Sequence, residues 1–294
     1  MICTVTFNPS IDCFFEGEIS LNALNKLPQH VTFGGKGINV SACLNALEVK
    51  NISLGFCAGF SGKWLLELLN ENKIANDFVF LENGLTRINA KAGTTEINSI
   101  GPIVSDNKFK ELIKTLEKTN FDTLVLSGSA PNGLNDAYAR ICKRFKDKRI
   151  IIDTTGKNLN DTLKFEPYLI KPNIFELENF FNVKINTEEE IILYANKLIK
   201  LGAQNVLVSR GKDGLILVSG SGKILKSETI KGKVLSAVAC GDCTVAGFLA
   251  GNNLDESFLL ASACGNACAL NGGIPDKIKI LDAKSKIKLA IKAE

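Results

Sequence analysis

The chain is 294 residues long, carries 35 Lys and Arg against 31 Asp and Glu, and is 45% hydrophobic. That is the composition of an ordinary globular chain, and its evenly mixed charges leave no basic stripe for nucleic acid. No apolar run approaches the ~20 residues that span a bilayer, and Met1 leads directly into a strand-like stretch, so the expected setting is cytoplasmic, without a membrane partner.

In chain order, strand patterns at 2–7, 52–58, 123–127, 149–153, 168–170, 205–209 and 214–219 alternate with helical patterns at 37–47, 63–71, 107–118, 135–145, 174–181, 188–201, 243–250 and 256–271. Several strands are near-continuous apolar runs, as strands buried on both faces are. The alternation predicts βαβ units around a parallel sheet in an α/β fold. Segments 11–16, 31–33, 86–92 and 95–98 fall outside that rhythm, alternating or rich in β-branched residues. They predict a small second sheet near the ends of the main strands, where a lid belongs.

Five motifs bear on chemistry. Asn8-Pro9-Ser10-Ile11-Asp12 closes the first strand and puts Asp12 where ligands bind in open α/β sheets. A carboxylate there accepts sugar hydroxyls, although Asn-Pro also starts ordinary turns. Gly34-Gly35-Lys36-Gly37-Ile38-Asn39 precedes a helix; its glycines admit a ligand to the backbone, or merely turn the chain. Lys171-Pro172-Asn173-Ile174-Phe175-Glu176 brings Asn173 and Glu176 to one face of a helix start, a shell for Mg²⁺ or a capping box. Ser209-Arg210-Gly211-Lys212-Asp213-Gly214 offers a glycine-flanked turn close to which a nucleotide could pass. Ala239-Cys240-Gly241-Asp242-Cys243 opens an apolar helix, placing Asp242 among outward N–H groups as a proton acceptor or as a plain N-cap. No GxxxxGK[ST] loop and no GxGxxG after a strand is present.

The single histidine, His30, leaves little room for Ser-His-Asp hydrolysis or multi-histidine metal sites. The nine cysteines read as reduced thiols packed as small hydrophobes. Cys240 and Cys243 have CxxC spacing and Cys264 and Cys268 follow, a four-thiolate zinc arrangement in outline. The second pair lies within an Ala-rich helical stretch instead of a knuckle, and the metal and redox readings are set aside.

Together and in this order, the motifs resemble those of the ribokinase-like, or PfkB-type, carbohydrate kinases over essentially the whole chain. The resemblance implies a three-layer α/β/α fold with a mostly parallel central sheet, in one domain over 1–294, with a β lid from about 11–16, 29–35 and 85–99. It implies ATP and Mg²⁺ as cofactors and leaves a monovalent cation open. Asp242 would be the general base, with Ala239, Cys240 and Gly241 the anion hole. Asn173 and Glu176 would organise Mg²⁺ and phosphate. Lys171, Ser209, Gly211, Gly214, Gly241 and Asn266 would line the nucleotide side, and Asp12, Gly34, Gly35, Lys36, Asn39, Arg87, Asn89 and Ser129 the sugar side. Leu85-Thr86-Arg87-Ile88-Asn89-Ala90-Lys91 and Ser127-Gly128-Ser129-Ala130-Pro131 resemble the phosphosugar branch of 1-phosphofructokinases and tagatose-6-phosphate kinases. Arg87 and Lys36 would then meet the substrate's phosphate. Fructose 1-phosphate is the expected substrate, tagatose 6-phosphate the alternative, and a catalytically impaired sugar-phosphate or nucleotide sensor the second. The family usually has Gly and Ala where this chain has Ala239 and Cys240, and a small residue such as Ser at Cys243. Alkylation of Cys240 or Cys243 is expected to inhibit, with ATP protecting. A homodimer through the lid strands is the expected assembly.

Overall fold

In the computed structural model, which describes residues 1–93 and 95–292, β1 (Ile2–Thr6) leads into β2 (Ser10–Phe15), β3 (Gln29–Gly34) and α1 (Lys36–Ala46). Next come β4 (Asn51–Ala58), α2 (Gly59–Glu71), β5 (Asn76–Leu81), β6 (Arg87–Ala92), β7 (Thr95–Ile97) and α3 (Asp106–Lys118). The middle of the chain forms β8 (Thr123–Ser127), α4 (Ala137–Arg144), β9 (Arg149–Asp153), α5 (Gly156–Leu163), β10 (Leu169–Ile170), α6 (Ile174–Phe181) and α7 (Glu188–Lys200). The last third contributes β11 (Asn205–Ser209), β12 (Leu215–Ser219), β13 (Ile224–Ser227), α8 (Cys240–Ala250), α9 (Leu254–Asn271), α10 (Lys277–Lys286) and β14 (Leu289–Lys292).

Ten strands form one sheet in the order β14-β13-β12-β11-β10-β9-β8-β1-β4-β5. From β11 to β5 every pair is parallel, and β12, β13 and β14 add an antiparallel edge. Period-two alternation divides the strands between two cores. Leu124 and Leu126 face Phe109, Leu112, Tyr138 and Leu198 on one side. Val125 faces Val40, Leu44, Val245 and Ala263 on the other. The result is the three-layer α/β/α arrangement expected of a ribokinase-like chain. α8 and α9 are apolar nearly all round, and both are buried as deeply as that implies.

The second sheet runs β3-β2-β6-β7 and is mixed: β2 and β6 are parallel, the outer pairs antiparallel. Ile11, Ile38, Leu65 and Leu69 pack together and fix α1 and α2 against it. The register sets Gly34, Ser10 and Arg87 in one row, then Thr32, Asp12 and Asn89, then His30, Phe14 and Lys91.

Five elements carry no clear pattern in the sequence. The α5 segment is built of Asn, Asp, Thr and Gly, all poor helix formers, and is held by burying Leu159 and Leu163. In α10 only Ile280 and Ala283 are buried. β5, β13 and β14 lie at or next to sheet edges, where one-sided burial weakens the apolar signal.

Candidate active site

The carboxyl ends of β1, β8 and β9 meet the first turns of α1 and α8, and the polar residues gather there. Ala239 is the N-cap of α8 in a left-handed conformation, φ 63°. The first intrahelical bond is donated by the Cys243 N–H to Ala239 O, at 2.9 Å. The N–H groups of Gly241 and Asp242 precede it and point out of the helix end as donors. A Cβ at Gly241 would stand 3.1 Å from Lys171 Nζ, so the glycine lets a buried ammonium close to this turn.

Asp242 is buried, and Asn39 from α1 donates to its Oδ2 at 2.8 Å. Burial first, and the charge of Asp153 second, push the Asp242 carboxyl up to about 7, against the pull of Asn39, Lys36 and Lys171. Asp153 ends β9 with 2% of its surface exposed and sits between two cations, Lys36 and Lys171, each 3.4 Å away. Burial opposes its ionisation, but Lys171 and Lys36 outweigh that and hold it below the usual carboxylate range. Asp153 escapes the motif reading. It stands where the sequence places Asp12, at the carboxyl end of an apolar strand of the main sheet, whereas Asp12 itself lies inside β2 of the second sheet.

On the sugar-side residues, Asp12 accepts from Ser10 Oγ and Asn89 Nδ2 at Oδ1 and from Lys91 Nζ at Oδ2, each at 2.8 Å. A carboxylate offers about four lone-pair directions, so Asp12 is more fully engaged than the sequence implies. Lys91 ends the stretch that resembles the phosphosugar branch but was given no role, although it follows Arg87 and Asn89 at strand spacing on one face. A Cβ at Gly34 would meet Asp12 Cγ at 2.8 Å, and Gly35, φ 118°, would bring one to 3.1 Å from Pro9 Cα. Arg87 Nη2 donates to Asn8 O at 2.5 Å, and Asn8 Nδ2 donates to Ser129 Oγ at 2.8 Å. Asn8 thereby joins Arg87 to the exposed Ser129. The Lys36 ammonium pairs with buried Asp153 at 3.4 Å.

Thr6, Ser127 and Asp153 lie side by side on adjacent strands. Thr6 Oγ1, Ser127 Oγ and Asp153 Oδ2, with Asn8 Oδ1 and Arg87 Nε nearby, are buried without a hydrogen-bond partner. Buried polar groups are nearly always paired, so such a concentration marks a surface shaped for a polar ligand.

Asn173 caps α6: its Oδ1 accepts from Glu176 N at 2.8 Å, and Glu176 Oε2 accepts from Asn173 N at 2.9 Å. The capping box therefore exists, and it leaves Glu176 Oε1 outside the cap. Asn173 and Ser209 are bridged across β10 and β11, which aligns Lys171, Asn173 and Ser209. Gly211 and Gly214 have φ of 58° and 87° and bracket the next turn, anchored by Arg210 to Glu188 at 2.7 Å. Asn266 is spent on backbone, accepting from Ile230 N and donating to Ser262 O, both at 2.8 Å. Cys243 is wholly buried and Cys240 half-buried, so of the two only Cys240 is open to an alkylating reagent. Among the described residues no group of three His, Cys, Asp or Glu side chains is arranged to hold a metal.

A profile described as pfkB family carbohydrate kinase matches residues 18–277. The 1-phosphofructokinase of Borreliella burgdorferi is 39% identical over 288 residues, 93% of this chain and 93% of that protein. The D-tagatose-1-phosphate kinase of Bacillus licheniformis is 36% identical, with 98% of this chain and 99% of that one covered. Among solved structures, a variant of Escherichia coli phosphofructokinase-2 superposes with a TM-score of 0.88 at 23% identity, over 97% of this chain and 98% of that one, and shows the same fold.

Proposed function

As this chain belongs to the pfkB carbohydrate kinase family, we propose that it transfers the terminal phosphoryl group of ATP to a free primary hydroxyl of a ketohexose phosphate, fructose 1-phosphate becoming fructose 1,6-bisphosphate. The observation that carries this is the buried Asp242 carboxylate at the first turn of α8, poised near neutrality beside free N–H donors. A general base works best with an acidity near the working pH.

Asp242 takes the proton of the attacking hydroxyl at Oδ1, since Asn39 holds Oδ2. The N–H groups of Gly241 and Asp242 and the Lys171 ammonium stabilise charge growing on the transferring phosphoryl oxygens. Asp12, Asn89 and Lys91 orient the sugar hydroxyls, with Gly34 and Gly35 leaving room for them. Arg87, Asn8 and Ser129 receive the phosphate the substrate already carries, where Arg supplies a bidentate, permanently charged fork. The hard oxygen donors of Asn173 and Glu176, with Glu176 Oε1 outside the cap, fit a hydrated Mg²⁺. When bound, Mg²⁺ neutralises phosphate charge and fixes the triphosphate. Ser209, Gly211 and Gly214 flank the nucleotide. The second sheet acts as a lid, and its exposed Ile97, with Leu21, Leu24 and Ile100 beside its strands, forms the contact of a homodimer.

The Borreliella burgdorferi and Bacillus licheniformis relatives are both named for ketohexose 1-phosphates, which favours that phosphate position. Tagatose differs from fructose only at C4, so its phosphates are the competing substrates. ADP release from Mg-ATP, measured side by side with fructose 1-phosphate, tagatose 1-phosphate, tagatose 6-phosphate, fructose 6-phosphate and fructose, tests the reading. The highest kcat/KM belongs to fructose 1-phosphate. Preference for a tagatose phosphate would correct the substrate, and no turnover with any would favour the sensor reading.

A further inference from the structure

Cys43 on α1, Cys240 and Cys243 on α8, and Cys264 and Cys268 on α9 converge behind the anion turn, though 200 positions separate Cys43 from Cys243 alone. The thiols form a connected string. Cys268 neighbours Cys240 and Cys243, and Cys43, whose Sγ lies 4.0 Å from Cys243 O, neighbours Cys264 as well. One end of the string reaches solvent: Cys240 is half-buried, whereas Cys43, Cys243, Cys264 and Cys268 are buried.

The α8–α9 hairpin sets the register that makes this possible. A Cβ at Gly247 would stand 2.8 Å from Ala261 N, and one at Gly265 would stand 3.6 Å from Cys240 O, so the two helices touch backbone to backbone. One turn toward the open end, the antiparallel register brings Cys240 opposite Cys268. Both sulfurs already bracket one carbonyl, Val238 O, at 3.9 Å from Cys240 Sγ and 3.4 Å from Cys268 Sγ. Cys240 Sγ also lies 3.6 Å from Ser236 O. The two thiols thus hold residues 236–239, the backbone that leads into the anion turn.

We propose that Cys240 and Cys268 are a reversible modification site, a dithiol that hydroperoxides oxidise to a disulfide and that thereby switches off phosphoryl transfer. The effect on activity rests on the kinase reading above; formation of the bond does not. The Cys240 thiolate attacks a peroxide oxygen, forming S–O and breaking O–O, and the departing hydroxide takes a proton and leaves as water. The Cys268 thiolate then attacks the Cys240 sulfenyl sulfur, forming S–S and expelling a second water. Two thiols and one hydrogen peroxide give one disulfide and two waters, the thiols losing two electrons and the peroxide gaining them. Solvent reaches Cys240, so its thiol is the one a peroxide meets, and buried Cys268, whose sulfur shares Val238 O with it, is placed to resolve the sulfenic acid. The new bond ties the first residue of α8 to α9 and removes the thiol donors from Ser236 O and Val238 O, so the turn loses the geometry that presents its N–H groups.

The test treats the native, full-length protein with hydrogen peroxide, maps disulfides by peptide mass, and follows activity before and after dithiothreitol. The expected result is a Cys240–Cys268 disulfide, an activity loss of about tenfold or more, and recovery on reduction. Cys268→Ser, whose hydroxyl keeps a donor for Val238 O, keeps basal activity, forms no disulfide, and leaves a Cys240 sulfenic acid that dimedone traps. Absence of the Cys240–Cys268 disulfide in oxidised wild-type protein, or its formation without loss of activity, would overturn the proposal. A chain that forms the disulfide but never phosphorylates a sugar contradicts the kinase reading instead, and the two failures are told apart by mass alone.

Discussion

Asp242 owes its acidity to burial and to Asp153, and both effects make predictions of definite sign. With its carboxyl raised to about 7, Asp242 is increasingly protonated below neutrality, so kcat/KM declines as pH falls through that value. Asp153→Asn removes a neighbouring negative charge and releases Lys36 and Lys171 to act on Asp242, so the acidic limb moves to lower pH; an unmoved limb would refute the coupling. Asp242→Asn lowers kcat by roughly 10²–10⁴-fold, the contribution of a positioned base, while ATP affinity measured by calorimetry stays near wild type. The same substitution reports on stability. An acid whose folded value exceeds its unfolded one destabilises the fold as pH rises from the unfolded value to the folded one. Thermal melts should therefore show Asp242→Asn gaining on wild type between about pH 4 and pH 7 and holding a constant lead above. Arg87→Ala raises the KM for a phosphosugar roughly 10- to 100-fold, the loss of a charged hydrogen bond worth about 1.5–3 kcal/mol, and leaves the KM for ATP unchanged.

At the scale of elements, the α8 turn tests how backbone geometry enters the chemistry. Ala239 adopts φ 63°, where a Cβ is strained by about 1–2 kcal/mol and glycine is not. Glycine's greater freedom in the unfolded chain returns about 0.4–1 kcal/mol of that gain. Ala239→Gly should thus keep activity and hold or slightly raise the melting temperature, whereas a large loss of either would show that the methyl group is needed. What the sequence revealed divides along the same line. Gly34, Asn39, Asn173, Glu176 and Asp242 lie in contiguous motifs at helix starts or strand ends, and each was legible because local spacing sets its placement; Asp12, expected at the end of the first strand, sits inside β2 instead. Asn39 and Asp242 bond across 203 positions, yet each was found separately. Asp153 was not, because a lone carboxylate after four strand residues carries no pattern until Lys36 and Lys171 converge on it. The cysteine string was missed for the same reason: spacing pairs Cys240 with Cys243, whereas the helix hairpin pairs Cys240 with Cys268. Lys36 was read as a phosphate cation because its neighbours in sequence are ligand-binding glycines, and only the fold reveals the buried carboxylate within its reach.

For the molecule as a whole, the alternation of strand and helix sufficed for the parallel sheet and its two flanking layers, since near-continuous apolar strands admit little else. It showed β12 as a strand but not its antiparallel direction, and it missed β13 and β14, two four-residue strands in which lysine and serine break the apolar run. The second sheet leaves Ile97 on its edge strand and Ile100 just beyond it exposed, and a homodimer would cover them. Light scattering should find a dimer that Ile97→Glu with Ile100→Glu dissociates; a monomer for the wild type, or a dimer unmoved by both charges, would place the interface elsewhere. The most direct test of the central claim identifies the product. Phosphorus NMR of Mg-ATP and fructose 1-phosphate, run with the wild type and with Asp242→Asn in parallel, should show a new phosphomonoester at C6 and ADP growing together with the wild type and nearly none with the variant. ADP formed without that bisphosphate, or equal rates from the two proteins, would contradict the account.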